Sequence, residues 1–163
     1  MDHLSFIQSK VVLDRSELGN MLSIWNFKNQ KVVFTNGCFD IIHRGHVEYL
    51  AKAASFGDQL IIGLNTDASV KRLKGAARPV QDENTRALVL AAFSFVSKVV
   101  LFDEDTPLEL IKLVQPDILV KGGDYKSEDI VGYELVTKRG GEVITIELVE
   151  GHSTSSIIHR MSI

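Results

Sequence analysis

The chain has 163 residues, 45% hydrophobic and 24% charged, with 18 basic side chains against 21 acidic ones and a net charge of −3. That suits one globular domain with a real core, and a mildly acidic chain lacks the broad basic face of a non-specific nucleic-acid binder. A single cysteine, Cys38, excludes an internal disulfide, and no apolar run approaches the roughly 20 residues of a membrane span. Small anionic ligands stay open, because they need only a local cluster. The opening MDHLSFIQSK has neither a basic stretch nor a sustained apolar run, so the expectation is no signal peptide and a cytoplasmic protein.

Residues 14–29 read as a helix. Leu18, Met21, Leu22 and Trp25 share one face, and Asp14 followed by Glu17 resembles a capping box. KVVFTN (31–36) is a β-rich run ending at Asn36-Gly37. A helix follows from about His46, with Val47, Leu50, Ala51 and Ala54 on one side and Gly57 as its stop. DQLIIGLN (58–65) is the next strand and TDASVKRLKGAARPV a polar, basic stretch. Asp82 or Asn84 then caps a helix bearing Leu88, Ala91, Ala92 and Phe95. KVVLF (98–102) is a strand. Thr106-Pro107 opens a helix in the order cap then first residue, with Leu108, Ile111 and Leu113 as its apolar face and Pro116 its end. DILVKGGD (117–124) is a strand running into glycines, and a helix over about 129–139 stops at Gly140-Gly141. EVITIEL (142–148) is a fifth strand, and STSSIIHRM forms a last helix.

Strands alternating with helices, most of them continuous apolar runs, predict an α/β fold. The expected architecture is a single Rossmann-like doubly wound domain, a five-stranded, mainly parallel sheet flanked by helices, with an extra N-terminal helix. Ligands of such sheets bind beyond the carboxyl ends of the strands. There stand TNGCFDIIHRGH, NTD with KRLKG, KGGDY and EGHSTSS, a convergence of small, polar and basic residues.

Gly37 permits positive φ and close backbone approach, so free amides could meet a phosphate; a tight turn explains it equally well. The spacing is neither GxGxxG nor that of a Walker A loop. His43 and His46, three apart near a helix start, share a face with Cβ atoms roughly 5–6 Å apart. Gly45 between them leaves room at a helix N-terminus, which favours an anion. Three readings stand: a satisfied structural pair, zinc ligands with Cys38 and Asp40, or donors that stabilise charge on a reacting phosphate. In STSSII, capping accounts for Ser153 but not for Thr154, Ser155 and Ser156 together.

His43-Arg44-Gly45-His46 resembles the HxGH signature of the nucleotidyltransferase superfamily that includes the cytidylyltransferases and phosphopantetheine adenylyltransferase. GHSTSSII resembles its closing ISTSxII motif, with His152 where isoleucine is often found. With TNGCFDIIHRGHVEYL, NTDASVKRLKG, RPV, FDEDTPLELI, PDILVKGGDY and GGEVITIELVEGHSTSSII, residues 31–160 are similar to the heptose 1-phosphate adenylyltransferases of ADP-heptose synthesis. KGGDY and the LKG…RPV pair set them apart from the glycerol-phosphate cytidylyltransferases. In that family the domain occurs alone or fused behind a sugar kinase, and the stand-alone form is expected here.

The resemblance implies a nucleotidyltransferase domain over 31–163 behind an N-terminal extension, 1–30. It implies transfer of AMP from ATP to a heptose 1-phosphate, with Mg²⁺ arriving with ATP and no tightly bound metal. His43, His46 and Lys74 would be catalytic. Thr35, Asn36, Gly37, Cys38, Phe39, Gly45, Lys121, Gly122, Gly123, Ser153, Thr154 and Ser155 would hold nucleotide and phosphates. Asp40, Asn65, Asp67, Arg72, Arg78 and Asp124 would bind the acceptor. Lys71 reads equally as a solvated lysine, and Arg86 as the partner of acids on its own helix, although the family that the chain resembles also places an arginine in this stretch. The expected partners are these substrates and further copies of the chain, not nucleic acid or a membrane, and the product would feed lipopolysaccharide or another surface glycan. Two alternatives remain at this stage: a cytidylyltransferase acting on an alcohol phosphate such as glycerol 3-phosphate, and a catalytically silent nucleotide-binding domain.

Overall fold

A computed structural model describes residues 2–123, 125–147, 151 and 153–161. The apolar runs become strands β1 (Val11–Val12), β2 (Val32–Gly37), β3 (Gln59–Asn65), β4 (Lys98–Phe102), β5 (Ile118–Gly122) and β6 (Glu142–Ile146). They form a six-stranded sheet in the order β1-β4-β3-β2-β5-β6, with every adjacent pair parallel. The sheet therefore has one strand more than the sequence pattern suggests. β1 is two residues long, too short to show a period, and it is the register Val11↔Val99 with β4 that makes it a strand.

The helices are α1 (His3–Gln8), α2 (Arg15–Phe27), α3 (Arg44–Ala54), α4 (Asp67–Lys74), α5 (Glu83–Ala91), α6 (Leu108–Val114), α7 (Tyr133–Lys138) and α8 (Thr154–Met161), with a 3₁₀ turn at Ser127–Asp129. Successive strand residues point to opposite faces, so neighbours divide between two cores. Val33, Ile62, Val99 and Val120 pack with Leu50 and Ala53 of α3 and Leu90 of α5. Phe34, Ile61, Val100 and Leu119 pack with Leu18 of α2, Leu110 and Ile111 of α6 and Val136 of α7. Burial on both faces is why these strands read as unbroken apolar runs.

Several local readings need correction. TDASVKRLKG is the helix α4, capped by the Thr66 hydroxyl; it buries only Ser69 and Val70, so its sequence looks like a loop. The inward face of α5 is Arg86, Ala87, Leu90 and Ala91, and Ala92 lies past its last turn. In α6 Leu110, Ile111 and Val114 are buried, Leu113 is exposed, and Pro107 is the cap. α3 starts at Arg44 with His43 as N-cap and ends at Ala54, before Gly57. The 129–139 segment is a 3₁₀ turn followed by the shorter α7. Asp82, not Asn84, caps α5. Leu148 and Asp124 lie outside the described residues. Among the described residues no helix is long and apolar enough to cross a membrane.

From β2 the chain steps outward through β3 to β4, then crosses back so that β5 pairs with the other side of β2. The loops after β2 and β5 thus leave in opposite directions and open a crevice between their carboxyl ends.

Gly63 in the middle of β3 is a packing requirement: a Cβ there would stand 2.8 Å from Phe34 Cζ and 3.2 Å from Leu110 Cδ2. Gly63→Ala is expected to destabilise the fold by about 1–3 kcal/mol through overpacking. A urea titration checks it, as a lower midpoint at unchanged slope.

Candidate active site

The site starts at the end of β2. Gly37 is still strand, and a Cβ on it would press to 3.0 Å of the Phe39 ring. The positive φ that Gly37 would permit falls instead on Phe39 (φ 43), an uncommon conformation for a bulky residue. That turn throws the Phe39 ring against His46, centroids 5.3 Å apart at 63°. His43 caps α3 and stacks on His46 at 3.8 Å and 24°.

Two cavities meet here. One, of about 300 Å³, is lined by the residues 36–39 turn, His43, Gly45, His46, Lys121, Gly122, Ser153 and Thr154. The other, of about 510 Å³, shares that turn, His46, Lys121 and Thr154, and adds Asn65, Lys74, Arg78, Asp105, Thr106 and Ser155. The α8 segment is held there by Thr154, whose hydroxyl donates to the Ile41 carbonyl at 3.3 Å. Ser153 accepts from the Ser156 amide at 3.1 Å, as expected for a cap.

Burial sets the electrostatics. His46 is lowered to about 4, first by desolvation, then by His43, against the Ile41 backbone, so its ring is neutral at pH 7. Lys121 is lowered by burial and by Lys74, and lies 3.4 Å from Asn36 Oδ1. Desolvation raises the Cys38 thiol, so sulfur is protonated at neutral pH; its Sγ is 3.9 Å from Asn65 Oδ1. Among the described residues no group of three or more His, Cys, Asp and Glu side chains could hold a metal ion.

Several of the expected contacts are instead engaged with the protein. Thr35 is fully buried, its hydroxyl 2.6 Å from Tyr49 Oη, which donates to the Val120 carbonyl. Asp40, 1% exposed, accepts from Arg78 Nε at 2.5 Å and from the Val80 and Gln81 amides. Asp40 thus clamps the 78–81 loop, and it also lines the larger cavity. Asp67 pairs with Arg86 at 2.7 Å, and Arg72 pairs with Asp105 and Asp103; neither Asp67 nor Arg72 lines either of these two cavities. Arg86 itself is fully buried and reaches Asp67 on α4, not an acid on its own helix. Gly123 (φ 116) has the Tyr125 ring 3.0 Å from where a Cβ would be, and lies just beyond the lining residue Gly122. Asp124 and His152 are outside the described residues.

The structure adds Tyr49, Asp105 and Thr106 to the lining. Tyr49 had a signal, a polar aromatic one turn beyond His46 on the buried face of α3. Asp105 and Thr106 had none, since their loop reads as an ordinary helix start.

The profile of the family described as cytidylyltransferase-like matches residues 34–160. The chain is 52% identical over 153 residues to the bifunctional protein HldE of Nitrobacter hamburgensis, covering 94% of this chain and 31% of that protein. It is 54% identical over 159 residues to the bifunctional protein HldE of Syntrophotalea carbinolica, covering 98% and 32%. It thus spans about a third of the length of these curated relatives. Among solved structures, the lipopolysaccharide core biosynthesis protein from Thermoplasma volcanium superposes with a TM-score of 0.59 at 28% identity, covering 76% of this chain and 99% of that one.

The depressed His46 value is a pH prediction. The fold excludes a proton that the unfolded chain binds with a value near 6.5, so this contribution to stability is full above about 6.5 and is lost as pH falls towards 4. An NMR titration of the five histidine rings should find one with a midpoint near 4. Five midpoints clustered near 6.5 would contradict it.

Proposed function

The chain belongs to the cytidylyltransferase-like family, and from that premise we propose that it transfers AMP from ATP to a heptose 1-phosphate, releasing pyrophosphate and giving ADP-heptose. The observation behind this is the pair of adjoining cavities with the His46–Lys121 wall in common. Two anionic substrates can sit side by side with the bond to be made between them. The names of the relatives support the pathway: bifunctional proteins of which this chain matches one third, and a lipopolysaccharide core biosynthesis protein.

A phosphate oxygen of the sugar 1-phosphate attacks the α-phosphorus of ATP in line. The new P–O bond forms as the bond from the α-phosphorus to the bridging oxygen breaks, and that oxygen leaves with pyrophosphate. No covalent help from the protein is needed, only positioning and charge absorption. The smaller cavity takes the nucleotide against the 36–39 turn and the α3 and α8 N-termini, whose free amides favour phosphate. Neutral His46, with the His43 ring stacked on it, offers a ring N–H group to the reacting phosphate. Lys121 stands where the cavities meet, and Lys74 at the rim closes on the leaving pyrophosphate. Asn65 and Arg78 face the acceptor in the larger cavity.

Mg²⁺ fits this site as a companion of ATP. Asp40 is committed to Arg78 and two amides, so the chain offers few hard oxygens, and such an ion binds mainly through substrate phosphates and water. When bound it neutralises phosphate charge. The reading includes a cytoplasmic homo-oligomer whose transferase domain is 31–163, with 1–30 an extension that adds β1 to the sheet edge.

Pyrophosphate release is expected from ATP only when heptose 1-phosphate is present; turnover confined to CTP with glycerol 3-phosphate would overturn the assignment. His46→Ala should lower kcat about a hundredfold or more with the fold intact, as for loss of an oxyanion donor. Activity within a few-fold of the parent would return the histidines to a structural role.

A further inference from the structure

Arg86 heads the fully buried side chains of the molecule by volume, and it lines neither cavity. A buried guanidinium must have its donors satisfied, and a planar fork does so in fixed directions. Here Nε donates to the Gln81 carbonyl at 3.0 Å, one terminal nitrogen to the Cys38 carbonyl at 2.6 Å and the other to Asp67 Oδ1 at 2.7 Å. Two of the three acceptors are backbone oxygens on separate loops of the site.

The Cys38 contact fixes more than a carbonyl. In a trans peptide the C=O and the next N–H point in opposite directions. Arg86 draws the Cys38 oxygen into the protein, so the Phe39 N–H is turned the other way, to the side where Cys38 and Phe39 line both cavities. Among the described residues nothing accepts from that N–H. Phe39 is also the left-handed residue of the turn, at φ 43, the conformation in which successive amides form an anion-binding concavity.

The Gln81 contact works on the acceptor side. The Gln81 amide donates to Asp40 while its carbonyl accepts from Arg86, so this residue is held from both ends. The same Asp40 holds Arg78, which lines the larger cavity. Asp67 keeps the guanidinium in place from the first turn of α4.

We propose that Arg86 is the positioning residue of the transfer: it aims the unpartnered Phe39 amide at the nucleotide phosphates and, through Gln81, sets the loop that presents Arg78 to the acceptor. It touches neither substrate. The proposal rests on the nucleotidyltransferase reading of the site, which already seats the nucleotide against the 36–39 turn, and adds to it the residue that orients that turn.

The first test uses the unaltered protein labelled with ¹⁵N-phenylalanine, whose eight amides give a countable spectrum. On adding α,β-methylene-ATP, the Phe39 amide proton should move downfield together with the His46 ring signals. If the His46 ring responds and the Phe39 amide does not, the role of Arg86 is overturned and the reading of the site stands. If neither responds, both fall. The second test is Arg86→Lys, which keeps the charge but not the fork. Measured per folded molecule, KM for ATP and for the sugar phosphate should each rise tenfold or more, with the low His46 midpoint retained. Values within twofold of the parent would make Arg86 a purely structural residue. Should Arg86→Lys not fold, Asp67→Asn, which loosens the same guanidinium from the α4 side, is expected to raise both constants to a smaller degree, and unchanged constants would again overturn the proposal.

Discussion

The reversal of strand order at β2 is the constraint from which the rest of the site follows. In an all-parallel sheet every strand ends on the same side, and each connection must cross a face to return. β3 and β5 lie on either side of β2, so the chain leaving β2 for α3 is not covered by the chain leaving β5. The space between becomes the crevice, and the first turn of α3 is aimed into it. Everything chemically distinctive sits within one turn of that point: the left-handed Phe39, the stacked histidines, and Lys121 from the neighbouring strand. Packing reinforces the geometry. Thr35, Tyr49 and the Val120 carbonyl form a buried polar chain linking β2, α3 and β5 beneath the cavity floor. The three elements that must hold their mutual spacing are thereby tied where water cannot compete.

Burial then tunes the groups that face the crevice. His46 and Lys121 are both shifted toward their neutral forms, chiefly by desolvation. The anionic ligand of the proposed function would favour the charged forms that burial disfavours. The coupling is local. Lys74 and Lys121 repel each other across the larger cavity, and a phosphate between them would remove that repulsion.

The layered fold was legible in the sequence because burial on two faces writes unbroken apolar runs, and the HxGH stretch because its spacing sits at a strand end. Three features were not legible, each for a physical reason. β1 is too short to have a period and owes its existence to β4. α4 buries one face of only two residues, so its polar composition mimics a loop. Arg86 read as the partner of acids on its own helix, since nothing local in ENTRAL announces acceptors on three other segments, at Cys38, Asp67 and Gln81. Gly37 shows the opposite case. Its composition suggested the left-handed residue of the turn, yet packing against the Phe39 ring assigns that conformation to Phe39.

The carboxylates at the strand ends explain why acceptor ligands were the hardest residues to read. An aspartate beyond a parallel strand looks the same in sequence whether it binds a sugar hydroxyl or an arginine. Under the proposed function the site takes two polyanions, and a bare carboxylate would repel them through a partly desolvated medium. Among the described residues four of these carboxylates share three arginines: Asp40 has Arg78, Asp67 has Arg86, and Asp103 and Asp105 share Arg72. The lysines of the cavities, Lys74 and Lys121, form no ion pair among the described residues. The division matches the two side chains. A rigid fork suits a permanent, directional pair, whereas a single ammonium on a flexible stem can follow a phosphate as bonds change. Arginines build the frame that neutralises its own acids, and the proposed function leaves the lysines of the cavities to meet the substrates.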